Sequence, residues 1–129
     1  MKARWKILLV DDDVEFVEGV KTLLEAQGCE VYTAHSGAAG IEKARAVLPH
    51  LLILDVMMTT DTDGIETSRK IQSMPELKGL PVILMTGIRK ALSLPFGIEP
   101  DSDWLPVRAV LEKPVPPEKL LEEVARQLT

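Results

Sequence analysis

Two short apolar runs that each end in carboxylate constrain the fold of this chain more than any other feature. Ile7-Leu8-Leu9-Val10 leads straight into Asp11-Asp12-Asp13, and Leu51-Leu52-Ile53-Leu54 leads into Asp55. An apolar run this short and this free of polar residues usually marks a strand buried on both faces of a parallel sheet. Both acidic ends then fall at one carboxyl edge, which is where open α/β sheets bind ligands.

The rest of the chain alternates strand and helix in the same way. Lys6 to Val10 reads as the first strand. Val14 to Gln27 follows as a helix with Phe16, Val17, Val20, Leu23 and Leu24 on one face, stopped by Gly28. Glu30 to Ala34 is a second strand, after which Ser36 caps a helix that turns Ile41, Ala44, Val47 and Leu48 inward and ends before Pro49. After the third strand at Leu51 to Leu54, Asp63 and Glu66 stand in capping-box spacing, with Asp for the usual Ser or Thr, and open a helix to about Met74. Pro81 to Met85 and Ala109 to Leu111 are the fourth and fifth strands. The last helix starts at Pro116 or Pro117 with Leu120, Leu121, Val124 and Leu128 inside. Between Thr86 and Arg108, Gly87, Pro95, Gly97, Pro100 and Pro106 interrupt the pattern, so a fourth helix is expected to be atypical or missing. The expected architecture is α/β, a doubly wound sheet of five parallel strands.

With 129 residues, 46% of them hydrophobic, the chain has room for one domain with a real core, and residues 1–129 read as a single unit without a second domain. A net charge of -5 with Lys and Arg scattered disfavours nucleic acid as a partner. No apolar stretch approaches the ~20 residues that span a bilayer. The first six residues are too short and polar to begin a signal peptide, and the lone Cys29 has no partner for an internal disulfide. A cytoplasmic location with no membrane partner is expected.

Asp11, Asp12 and Asp55 at one sheet edge repel one another and call for a cation among them. Mg²⁺ takes oxygen ligands, keeps several waters and is commonly held by one or two carboxylates together with a phosphate oxygen. A carboxylate beside such an ion is a candidate phosphoryl acceptor. Donors for the phosphoryl oxygens stand at two further strand ends, Thr86 after Val82-Ile83-Leu84-Met85 and Lys113 after Val110-Leu111-Glu112.

This constellation resembles the response-regulator receiver family, the phosphoacceptor partners of sensor histidine kinases, over nearly the whole chain. Asp11 and Asp12 match the family's acidic pair, Asp55 its phosphorylated aspartate, Thr86 its switch hydroxyl and Lys113-Pro114 its lysine-proline pair. The resemblance implies a flavodoxin-like strand order 2-1-3-4-5. It also implies Mg²⁺ held by Asp12 and Asp55 directly, by Asp11 mainly through water, and by the main-chain carbonyl of Met57. Asp55 is then the nucleophile, with Thr86 and Lys113 binding the phosphoryl oxygens. The implied partners are a sensor histidine kinase or histidine phosphotransfer protein and a downstream protein target, met by a stand-alone receiver that is a monomer or weak homodimer. Such a protein is a signalling phosphoacceptor that catalyses only its own phosphotransfer and dephosphorylation. Four features depart from the family pattern: Thr59 follows Met58 in place of proline, Asp63-Gly64 lies one residue further along than is usual, the interval from Thr86 to Lys113 is several residues longer than usual, and Val110 stands where a switch aromatic is common.

Two alternatives stand beside this reading. Asp11 and Asp13 superficially fit the Asp-x-Asp nucleophile and general acid of haloacid-dehalogenase-like phosphatases, although Glu15 sits where that motif wants Thr or Val. A receiver-like scaffold that binds partners without phosphorylation is the other. Asp13 is assigned to the cap of the first helix, His35 and His50 to ordinary surface loops, and Cys29 to a small buried hydrophobe.

Overall fold

A computed structural model describes residues 5–55, 63–87 and 107–128. In chain order the elements are β1 (Lys6–Val10), α1 (Val14–Glu25), β2 (Glu30–Ala34), α2 (Gly37–Val47), β3 (Leu51–Asp55), α3 (Asp63–Ser73), β4 (Val82–Gly87), β5 (Ala109–Lys113) and α4 (Pro117–Leu128). All strands pair in parallel in the order β2-β1-β3-β4-β5, which is the doubly wound, flavodoxin-like arrangement. The segment expected to hold an atypical or missing fourth helix, from Ile88 to Pro106, lies outside the described residues, as do Met57, Met58 and Thr59.

The strand period of two divides the apolar runs between two cores. Leu8, Val10, Leu52, Leu54, Val82 and Leu84 face Ala44 of α2 and Ile65 and Ile71 of α3. Ile7, Leu9, Leu51, Ile53, Ile83 and Met85 face Val17, Val20 and Leu24 of α1 and Leu120, Val124 and Leu128 of α4. Each large side chain fully buried in this way contributes about 1.5–3 kcal/mol relative to exposure, so the central strands are the most strongly held part of the molecule. Cys29 is buried within the second cluster, as expected of a small hydrophobe, and burial pushes its thiol pKa up.

Several element ends differ from expectation, each for a local reason. Helix α1 stops at Glu25 rather than Gln27. The N–H groups of Gln27 and Gly28 donate to the carbonyls three residues back, and Gly28 at φ 88° carries the reversal that lets the Cys29 N–H close onto the Leu24 carbonyl. Leu48 does not turn inward: it is the C-cap of α2 at φ 50° and is 55% exposed. A residue before proline is disfavoured in the right-handed helical region, so the chain leaves the helix at Leu48 and buries Pro49 instead. Helix α3 begins at Asp63 itself, and the Asp63 side chain, on which the expected capping box with Glu66 depends, lies outside the described residues. Strands β3, β4 and β5 run on through Asp55, Thr86 and Lys113, which are strand residues rather than residues after strands.

Candidate functional site

The register of the sheet brings the acidic strand ends together. Val10 pairs with Leu54, so Asp11 and Asp55 stand at adjacent strand ends. Asp55 pairs with Met85, Thr86 with Glu112, and Gly87 with Lys113, so the same edge continues to Thr86 and Lys113.

Asp11 and Asp55 are 4% and 5% exposed, Thr86 is 1% exposed, and Asp12 is open to solvent. One carboxylate oxygen each from Asp11, Asp12 and Asp55 lies within 4.8 Å of the others. The Lys113 ammonium donates to Asp11 Oδ2 at 2.8 Å and stands 3.4 Å from Asp55 Oδ2, with its side chain 24% exposed. Burial disfavours its charged form, but the hydrogen bond to Asp11 and the charges of Asp55 and Asp11 outweigh burial and raise its pKa above the ordinary value. The Lys113–Pro114 peptide that follows is cis.

Local turn chemistry sets the Asp11 to Asp13 segment. Asp11 Oδ1 accepts the Asp13 N–H at 2.9 Å, and Asp13 Oδ1 accepts the Phe16 N–H at 3.2 Å as the N-cap of α1. Asp13 is therefore the cap that its position suggested, and its carboxylate is turned to the helix end instead of standing ready as a general acid. The Asp11 N–H donates to the Ala34 carbonyl at 3.1 Å, and His35 Nδ1 lies 3.0 Å from the Asp11 carbonyl, to which it donates. Strand β2 and its following residue thus hold the Asp11 backbone from both sides.

Two contributions at this edge escaped sequence reasoning. His35 is exposed as expected, yet it anchors Asp11. The order that makes β2 the neighbour of β1 was the available signal, because it brings the residue after Ala34 to the same edge as the residue after Val10. Phe16 packs partly buried on the second core cluster, as its helical periodicity suggested, and its ring also lies under the Lys113 ammonium, 4.3 Å from Nζ to the ring centroid. His50 sits at the opposite edge, where its Nδ1 accepts the Lys6 N–H at 2.9 Å.

The donor set suits a hard divalent cation. All three side chains offer carboxylate oxygen, one of them exposed enough to leave coordination positions to water, as Mg²⁺ prefers. Met57, whose carbonyl the resemblance adds to this set, lies outside the described residues.

The model of the response regulator receiver domain matches residues 7–125. The chain belongs to the response regulator receiver family. Among similar curated proteins, the transcriptional regulatory protein CpxR homolog of Haemophilus influenzae is 37% identical over 98 residues, covering 76% of this chain and 41% of that protein. The alkaline phosphatase synthesis transcriptional regulatory protein PhoP of Bacillus subtilis is 32% identical over 98 residues, covering 76% of this chain and 40% of that protein. The chain thus spans about two fifths of the length of these relatives. The structure of the chemotaxis response regulator CheY4 of Vibrio cholerae superposes with a TM-score of 0.78 at 25% identity, covering 98% of this chain and 100% of that one. A CheY-like receiver domain protein of Methanospirillum hungatei gives a TM-score of 0.76 at 28% identity, covering 98% of this chain and 94% of that one. Receiver domains are signalling phosphoacceptors rather than classical enzymes. No helix among the described residues is long and apolar enough to cross a membrane.

Proposed function

We propose that this receiver takes a phosphoryl group onto Asp55 from the phosphohistidine of a sensor histidine kinase or histidine phosphotransfer protein. The observation that carries the proposal is the buried Asp11 and Asp55 pair, joined by exposed Asp12 and bridged by Lys113 at the carboxyl edge. An Asp55 carboxylate oxygen attacks phosphorus as the bond from phosphorus to the donor imidazole nitrogen breaks. The imidazole leaves with the bonding pair, and the product is an acyl phosphate. Asp12 and Asp55 directly, Asp11 mainly through water and, by the resemblance, the Met57 carbonyl would hold Mg²⁺, which would neutralise charge on the transferring phosphoryl oxygens. Lys113 supplies a charged donor to one of those oxygens and the Thr86 hydroxyl supplies another.

Occupation of Asp55 then alters the surface read by a downstream protein target. Val110, partly buried against the first core cluster, stands where receivers commonly carry a switch aromatic. The reading includes a stand-alone receiver at a cytoplasmic location, a monomer or weak homodimer without nucleic acid as a direct partner. The apparent mass of the native protein in cell extract tests the stand-alone part against 14.2 kDa. The phosphatase alternative loses its general acid, because Asp13 caps α1. The unphosphorylated scaffold is tested together with the main reading. Incubation with acetyl phosphate and Mg²⁺ is expected to add one phosphoryl mass, acid-stable and base-labile, that Asp55→Asn abolishes. An adduct that persists in Asp55→Asn would overturn the assignment, and no adduct on the wild-type protein would favour the scaffold.

A further inference from the structure

We infer that Phe16 is a positioning residue that holds the Lys113 ammonium at the mouth of the acidic cluster for phosphoryl transfer; this rests on the phosphoacceptor reading above. An ammonium has three N–H donors on a long flexible stem, and its direction is set only by what surrounds it. Here Asp11 Oδ2 at 2.8 Å and Asp55 Oδ2 at 3.4 Å attract it toward the strand ends, and the Phe16 ring face meets it 4.3 Å from the centroid. The face of a benzene ring carries the negative part of its quadrupole and attracts a cation at this distance.

The ring itself is well fixed. Its backbone N–H is held by the Asp13 cap in the first turn of α1, and its side chain packs on the second core cluster. With Val17, Ile53 and Met85 it lines the narrow cleft beneath Asp11 and Asp55. This placement matters because the carboxylates change during the reaction whereas the ring does not. Conversion of Asp55 to an acyl phosphate moves its negative charge from the carboxylate out to the phosphoryl oxygens, and a cation bound to the cluster competes with Lys113 for Asp11. The attraction of the ring survives both, so the ammonium stays beside the incoming phosphoryl oxygens rather than swinging to solvent. An aliphatic side chain at position 16 would fill the same cleft without a negative face.

The test compares wild type, Phe16→Leu, Phe16→Met and Phe16→Tyr in two measurements. One is the NMR position of the Lys113 ε-methylene protons, which adjoin the Nζ that lies over the ring and are expected to be moved upfield by its ring current. The other is the rate of adduct formation with acetyl phosphate and Mg²⁺. Wild type and Phe16→Tyr are expected to show the upfield position and the same rate. The two aliphatic variants are expected to lose the upfield position and react about two- to five-fold more slowly. Two aliphatic variants keep the comparison intact if one of them folds poorly. Aliphatic variants reacting at the wild-type rate, or Phe16→Tyr as slow as Phe16→Leu, would reduce Phe16 to a packing residue. A wild-type Lys113 signal at its ordinary position would do the same. A wild-type protein that takes no phosphoryl group overturns the phosphoacceptor reading and the part of Phe16 in transfer, and is told apart because the upfield position persists.

Discussion

Asp11 and Asp55 are two buried carboxylates that share one ammonium, so Lys113 is part of what keeps the metal-free site folded. Replacing it with methionine preserves much of the apolar stem but leaves both carboxylates facing one another without a cation. Lys113→Met is therefore expected to destabilise the protein in chelator by about 1–3 kcal/mol, measured by urea unfolding. The pH dependence has a definite sign. The folded-state pKa of Lys113 is raised, so its contribution is fully present below the unfolded-state value of about 10.4 and is lost as pH climbs through the higher folded value. The stability gap between wild type and Lys113→Met should stay level from neutral pH to about pH 10 and narrow above it. A gap that closed near neutrality would mean that Lys113 is not the cation the two carboxylates depend on. Asp13, one residue from the exposed Asp12, serves the helix instead, and this separation of duties follows from a single turn of backbone.

At the scale of elements, helix α2 approaches β1 so closely that Gly40 is required by space rather than by backbone conformation. A Cβ on Gly40 would stand 2.8 Å from Val10 Cγ2 and 3.1 Å from Val10 Cγ1. Val10 is fully buried and immediately precedes Asp11, so the contact cannot be relieved without moving either the helix or the strand that carries the acidic cluster. Alanine gains about 1 kcal/mol of helix propensity over glycine, whereas overpacking a core of this kind costs about 1–3 kcal/mol. Gly40→Ala is expected to be destabilising on balance by up to about 2 kcal/mol and to weaken Mg²⁺ binding in calorimetric titration. An alanine variant as stable as wild type, with unchanged affinity, would show that α2 yields without disturbing β1.

For the whole molecule, five parallel strands gather carboxylates at one edge, and the fold holds their repulsion in check through Lys113 and through whatever cation binds. A ligand of the native state alone stabilises by mass action, by about 2.7 kcal/mol at a hundredfold excess over its Kd. The melting temperature is accordingly expected to rise with Mg²⁺ concentration. Asp12→Ala should blunt this rise while leaving the metal-free protein as stable or slightly more so, because Asp12 is exposed and adds only like charge to Asp11 and Asp55. A full Mg²⁺-dependent rise in Asp12→Ala would remove Asp12 from the ligand set.

The apolar runs that end at Asp11 and Asp55 determined that two buried strands would carry carboxylates to one edge, and the runs before Thr86 and Lys113 put those two at strand ends in the same way; the strand order 2-1-3-4-5 came from the family resemblance. Those features are local in sequence, since burial on both faces demands an unbroken apolar run and a cap demands one acceptor at one position. What only the tertiary structure decided concerns atoms brought together from distant elements. Lys113 bridges Asp11 and Asp55, Phe16 lies beneath the ammonium, and His35 holds the Asp11 carbonyl, because the sheet order places the ends of β1, β2, β3 and β5 and the first turn of α1 around one edge. Helical periodicity could only mark Phe16 as inward-facing, and propensity could only place His35 in a loop. Leu48 departs from expectation for a related reason: its apolar character predicts burial, but the proline after it takes the backbone out of the helix and the side chain out of the core.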